Sequence, residues 1–167
     1  MLNKRDLINP MHIGTNSIKL DITTEIDTKK LAEKFSNFLK KGDVVFLFGE
    51  MGTGKTTFVK YLINSMQMKN NEDILEVQSP TFNILNEYEV NGLKILHYDL
   101  YRLKDKKELE NVGQIKNQTD KLILIEWPEL IKDNVSSTIS INFAYEDDLY
   151  KRSLSISSSN KNIVNGF

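Results

Sequence analysis

The 167-residue sequence contains no cysteine. That excludes disulfides, thiolate catalysis and cysteine-based zinc sites, and it fits a reducing compartment. Surplus charge of either sign is also missing. Lys and Arg total 22 against 23 Asp and Glu, a net charge of −1, and neither half is basic. Chains that grip nucleic acid through its phosphates usually carry a basic stripe, so tight direct binding of RNA or DNA is not expected. Arginine is scarce, with only Arg5, Arg102 and Arg152, and Trp127 is the single tryptophan. No apolar run is long enough to span a membrane, and the N-terminus lacks the apolar stretch of a signal peptide. The expected location is cytoplasmic.

What is present is an ordinary globular composition, 40% hydrophobic and 27% charged, at a length suited to one domain with a real core. Residues 1–16 have no clear period and read as a flexible extension. Ser17 to Ile22 alternates polar and apolar, as a strand with one wet face does. Asp27 or Thr28 can cap a helix carrying Leu31, Phe35, Phe38 and Leu39 on one side, which Lys40, Lys41 and Gly42 would close. Asn83–Val90 and Leu93–Leu100 flank Asn91-Gly92, the pair best suited to a two-residue hairpin turn that needs φ > 0 twice. That turn sets Val90 opposite Leu93, Glu89 opposite Lys94 and Tyr88 opposite Ile95, and the charge pairing supports the register. Residues 104–111 are charged and helix-permissive. Lys121 to Ile125 reads as a buried strand. Thr138–Tyr145 and Tyr150–Ile156 alternate on either side of Glu146-Asp147-Asp148, as a terminal hairpin would. The Ser/Asn-rich residues 157–167 read as a flexible tail, which leaves 17–156 as the single domain.

The chemistry gathers at Gly49-Glu50-Met51-Gly52-Thr53-Gly54-Lys55-Thr56, which fits the phosphate-loop pattern G-x-x-x-x-G-K-[ST]. Its flanks fit as well. Asp43 to Phe48 reads as a buried strand, from Thr57 onward Phe58, Val59, Leu62, Ile63 and Met66 fall on one helical face, and the polar Gln67 to Glu76 reads as a loop. Glycines let successive N–H groups approach phosphate oxygens, and the helix start offers further N–H groups and a positive dipole end. Lys55 can reach β- and γ-phosphates, and the Thr56 hydroxyl can reach Mg²⁺. The bland alternative is a glycine-rich turn that binds nothing. A nucleoside triphosphate fits the pattern and both flanks better, and the expected fold is α/β, P-loop NTPase-like, with a central mixed sheet, flanking helices and antiparallel hairpins.

Such a site needs a carboxylate at the end of a neighbouring strand to hold Mg²⁺ or its water. Glu126, after Leu122 to Ile125, and Asp99, after Leu93 to Tyr98, both qualify, although strand-end carboxylates often only solvate or cap. His97 reads first as a satisfied structural histidine and second as a catalytic group. Trp127 is either core or a wall of the nucleotide site.

Taken together, the phosphate loop, Ser79-Pro80-Thr81-Phe82, Asn86-Glu87-Tyr88, His97-Tyr98-Asp99-Leu100-Tyr101-Arg102-Leu103 and Ile125-Glu126-Trp127-Pro128-Glu129 resemble the TsaE family, also called YjeE. The resemblance runs from about Thr24 to Ile156, and the order and spacing of the later motifs make it specific. It implies a Mg²⁺-dependent ATPase, binding ATP and ADP, that supports formation of N6-threonylcarbamoyladenosine beside the tRNA anticodon. The implied partner is a TsaD–TsaB heterodimer, with tRNA met only through that complex. The resemblance also implies roles for individual residues: Glu50 to Thr57 around the phosphates, Lys55 on them, Thr56 and Glu126 on Mg²⁺, and Asp99 on the metal shell or attacking water. Glu129 would lie near the nucleotide, the helix start at Thr28 beside the base, and Lys151 or Arg152 at a basic C-terminal position. Many relatives carry an acidic, glycine-containing segment where residues 111–121 here are short and polar. Two other readings remain open on the residues: a small-molecule kinase with Asp99 as base, for which no arginine-bearing lid is evident, and a nucleotide-gated binding module without significant turnover.

Overall fold

A computed structural model describes residues 18–105, 107–108, 115, 119–147 and 150–167. The expected extension over 1–16, half of the segment 104–111 and most of 111–121 lie outside the described residues. Seven strands form one mixed sheet: β1 (Ile18–Asp21), β2 (Val44–Phe48), β3 (Leu85–Val90), β4 (Leu93–Asp99), β5 (Lys121–Glu126), β6 (Ile139–Tyr145) and β7 (Arg152–Ser158), in the order β1-β7-β6-β2-β5-β4-β3. The four central strands β6, β2, β5 and β4 run parallel, and each outer pairing is antiparallel. This is the expected fold class.

Period-two alternation divides the core between the two faces. Val45 and Leu47 join Ile95, Leu122, Leu124, Ile139, Ile141 and Phe143 under the helices. Phe46 joins Leu96, Tyr98, Ile123 and Ile125 on the other face. Among the described residues, the helices packed on the first face are α1 (Glu25–Phe35), α2 (Lys55–Lys69) and the short α3 (Lys161–Val164). The predicted apolar face of α2 is buried, from Phe58 to Met66. The Asn91-Gly92 hairpin has the deduced register, with both turn residues at positive φ.

Three boundaries differ from the sequence reading. The cap of α1 is Thr24, whose hydroxyl accepts from the Asp27 N–H at 3.1 Å. Asp27 and Thr28 therefore lie inside the first turn, and Thr28 is buried. The same helix ends at Phe35, not at Lys40-Lys41-Gly42, while Phe38 and Leu39 still pack against the helical-side core from the following turn. Finally, α2 runs on to Lys69, and the Gln67 side chain turns inward to accept from the Leu75 N–H at 3.2 Å.

Beyond Ile156, where the composition suggested a loose tail, β7 continues to Ser158. Next, α3 buries Ile163 and Val164, and Phe167 packs on Phe35 and Phe38 at ring-centroid distances of 5.9 and 5.6 Å. Among the described residues no helix is long and apolar enough to cross a membrane.

Candidate functional site

The site forms where β2 gives way to α2. Gly49, at φ +135°, lies so close to β6 that a Cβ would come 2.4 Å from the Phe143 carbonyl oxygen. Only glycine fits there, and the close approach ties the loop to the sheet. The loop is braced internally by Thr53, whose hydroxyl donates to the Glu50 carbonyl at 2.8 Å. Tyr145, at the end of β6, donates to the Met51 carbonyl at 3.3 Å. Gly54, left-handed at φ +106°, starts α2 without any side-chain cap. The first intrahelical bond runs from Phe58 N–H to the Gly54 carbonyl. The N–H groups of the first turn thus stay available to an anion.

A cleft of about 300 Å³ opens over this turn, lined by Met51, Gly52 and the helix start from Gly54 to Thr57 together with Ser79, Thr81, Asp99, Tyr101, Glu126, Trp127 and Arg152. Glu126 and Asp99 end adjacent parallel strands and are register partners. Both are nearly fully buried. The Thr56 hydroxyl donates to the two Glu126 carboxylate oxygens, at 2.9 and 3.0 Å. Asp99 has a different company. Its Oδ2 accepts from the hydroxyls of Ser79 (3.0 Å) and Thr81 (2.6 Å), and its Oδ1 accepts from the Tyr101 N–H at 3.0 Å. Asp99 therefore latches the Ser79–Thr81 loop to the cleft.

Lys55 is 4% exposed, and its ammonium donates to the Gly49 and Glu50 carbonyls at 2.7 and 2.8 Å. It also lies 4.2 Å from the centre of the Trp127 ring, within cation–π range. Burial pushes its pKa below that of an ordinary lysine, and the nearby carboxylates of Glu126, Asp99 and Glu129 oppose the shift. Trp127 adopts left-handed φ and ψ of 57° and 56° at the head of the 3₁₀ turn Pro128–Leu130. A bulky residue in that region marks local strain. Its ring meets Tyr101 at 4.8 Å. The pair makes one wall of the cleft.

Most of the expected site residues therefore converge: Met51, Gly52, Gly54, Lys55, Thr56, Thr57, Asp99, Glu126 and Arg152 all line the cleft. The Arg152 guanidinium, donating to the Thr23 carbonyl at 3.0 Å, ties the rim to the entrance of α1. Glu50, Thr53 and Glu129 do not line the cleft; Thr53 braces the loop, and Glu129 is exposed on the 3₁₀ turn. Thr28 is not at the cleft either; its hydroxyl donates to the Thr24 and Ile22 carbonyls. Tyr101 was missed by the sequence reading, although its place two residues past a strand-end aspartate was a usable signal. His97 was ranked as structural, yet its ring touches Glu126.

Comparison with known proteins agrees with this construction. The family profile "Threonylcarbamoyl adenosine biosynthesis protein TsaE" matches residues 22–154. Relatives named "tRNA threonylcarbamoyladenosine biosynthesis protein TsaE" include one from Rickettsia felis, 42% identical over 113 residues, which are 68% of this chain and 64% of that protein. Another, from Haemophilus influenzae, is 35% identical over 156 residues, 87% of this chain and 94% of the relative. A third, from Rickettsia conorii, is 42% identical over 66% of this chain and 61% of its own length. The matched region thus spans somewhat under two thirds of the two Rickettsia proteins. Among solved structures, Bacillus subtilis YdiB superposes with a TM-score of 0.65 at 24% identity, over 91% of this chain and 92% of that one, which shows the same fold. The profile match takes in the phosphate loop, both strand-end carboxylates and the first strand of the terminal hairpin, and the chain belongs to the TsaE family.

Proposed function

We propose that this protein binds ATP and ADP with Mg²⁺, hydrolyses ATP, and serves as the ATPase subunit that supports a TsaD–TsaB heterodimer in forming N6-threonylcarbamoyladenosine in tRNA. The observation that carries the nucleotide part is the hydroxyl–carboxylate pair Thr56–Glu126 at the uncapped start of α2, beside a glycine loop and a buried lysine. A buried carboxylate paired with a hydroxyl is a hard, oxygen-only donor set, which suits Mg²⁺. When bound, the metal would neutralise charge on the β- and γ-phosphate oxygens. Thr56 and Glu126 would hold it, directly or through water, and Asp99 would orient its shell or the attacking water. Lys55 leaves the Gly49 and Glu50 carbonyls and takes phosphate oxygens instead, while Trp127 and Tyr101 keep water from one side of the site.

The tRNA part of the proposal comes from the family and from the names of the relatives. It fits a chain with no basic excess, which would meet tRNA through the complex and act in the cytoplasm. As proposed limits, residues 1–16 form an extension and the ATPase domain begins at 17.

Calorimetry and phosphate release on the parent, Glu126→Gln and Asp99→Asn test the catalytic assignment. Each variant keeps shape but presents an amide N–H₂ to a neighbouring donor, so each should fold with a stability loss of about 1–3 kcal/mol. Hydrolysis in Mg²⁺ should fall far more than ADP affinity. Normal turnover by both variants would remove both carboxylates from the mechanism.

A further inference from the structure

His97 is fully buried on β4, two residues before Asp99, with side chain toward the helical layer. Its cross-strand partner on β5 is Leu124. The ring passes over that residue diagonally, and its Nε2 lies 2.9 Å from Glu126 Oε1. The other nitrogen, Nδ1, has no hydrogen-bond partner among the described residues. Packing alone does not account for such a residue. The neighbouring positions on this face are Ile95, Leu122, Leu124 and Leu47, and an aliphatic side chain would fill the space without stranding a polar atom. The contact favours the tautomer with its proton on Nε2. Glu126 accepts the Thr56 O–H, shared between its two oxygens, so a bare Nε2 lone pair would face a carboxylate oxygen at contact distance. A proton on Nε2 turns that repulsion into a charge-assisted bond and leaves Nδ1 as an unpartnered acceptor, not an unpartnered donor.

We propose that His97 is a positioning residue for the metal site: its Nε2–H clamps Glu126 Oε1 from inside the core and thereby aims the carboxylate at Thr56 and the cation. Glu126 is otherwise free to turn about its terminal torsion, which is broad and roughly two-fold. Thr56 does not by itself select an orientation, because its single O–H is shared between the two carboxylate oxygens. A donor on the core side, aimed at Oε1 alone, fixes which oxygen faces inward. Residues behind metal ligands typically change metal affinity or activity 10- to 100-fold when removed.

The inference rests on the proposed Mg²⁺-nucleotide site, and its test separates the two. ADP affinity is measured by calorimetry with Mg²⁺ and with EDTA, for the parent, His97→Leu and His97→Gln. In the parent, Mg²⁺ should strengthen binding. In His97→Leu that strengthening should shrink by about 10- to 100-fold, with metal-free affinity unchanged. In His97→Gln, whose amide N–H can reach the same oxygen, most of it should return. A parent without any Mg²⁺ effect overturns the metal site and this inference together. A normal Mg²⁺ effect in His97→Leu, or an equal loss in His97→Gln, overturns the inference alone.

Nitrogen NMR of the parent guards against a leucine variant that fails to fold. The sequence has two histidines, His12 and His97, and a His12→Gln variant assigns the pair. The His97 ring should show the Nε2–H tautomer and shift when Mg²⁺ is added to the ADP complex. An Nδ1–H tautomer, or a ring blind to the metal, overturns the clamp.

Discussion

At the scale of single residues, Lys55 holds the tightest conflict in the molecule. A cation is buried at the mouth of a cleft, satisfied by two loop carbonyls and an indole face. Burial lowers its pKa, and three carboxylates partly restore it. The linkage sign follows. A base whose pKa is lower in the folded chain holds fewer protons there than in the unfolded chain. Its charge therefore costs stability at low pH, and the cost is relieved as pH rises from the folded pKa toward the unfolded one. Nucleotide binding has the opposite dependence, because phosphate needs the ammonium. ATP affinity should accordingly weaken with rising pH, starting lower than an ordinary lysine would allow. Lys55→Ala should lose about 1.5–3 kcal/mol for each charge-assisted contact removed and should abolish the pH dependence in that range. Trp127 supplies the readout. Moving Lys55 off its ring should change the emission of the only tryptophan, so a fluorescence titration from neutral to alkaline pH measures affinity directly. Equal affinity for parent and variant, flat with pH, would remove Lys55 from the phosphate site.

At the scale of elements, what sequence could show was local and what it could not show was long-range. The Asn91-Gly92 turn has a conformational demand written in two residues, and the register it implies is the one observed. The phosphate loop is legible for the same reason. The cap of α1 was not, because Thr24, Asp27 and Thr28 all have capping side chains, and the choice depends on where β1 releases the chain toward Arg152. The contact of His97 with Glu126 was invisible, because it needs β4 and β5 to lie side by side in parallel. The end of the chain misled through its average composition. Serine and asparagine dominate residues 157–167, but Ile163, Val164 and Phe167 carry the packing, filling a gap beside Phe35 and Phe38. We accordingly propose that the folded domain includes these residues. Ile163→Ala should cost about 2–4 kcal/mol, read as a shifted denaturant midpoint with unchanged slope. A loose tail would show no shift.

At the scale of the whole molecule, the question is what the proposed ATPase lacks when alone. Phosphoryl transfer builds charge that a partner's cation or a moving segment often stabilises, and such a group is worth about 10³–10⁵ in rate. This chain has three arginines. Arg102 is stacked 4.2 Å over the Phe82 ring, and Arg152 is tied to the Thr23 carbonyl at the rim. The described mobile candidate is the Ser79–Thr81 loop, whose hydroxyls are held by Asp99 while the neighbouring Phe82 is 79% exposed. An apolar ring left outside next to a latched loop is a natural handle for a protein partner. Intrinsic hydrolysis should therefore be slow, and the TsaD–TsaB pair should raise it by acting on this loop or by adding a cation to the cleft. Association should depend on nucleotide, and tRNA alone should bind weakly, since the net charge of −1 offers few phosphate contacts. Pull-downs with ATP, ADP and no nucleotide, then turnover of the mixture, measure each claim. Phe82→Ser should weaken association while leaving slow intrinsic hydrolysis in place. If the pair fails to bind under all three conditions, the tRNA-modification role falls and the nucleotide site stands on its own geometry.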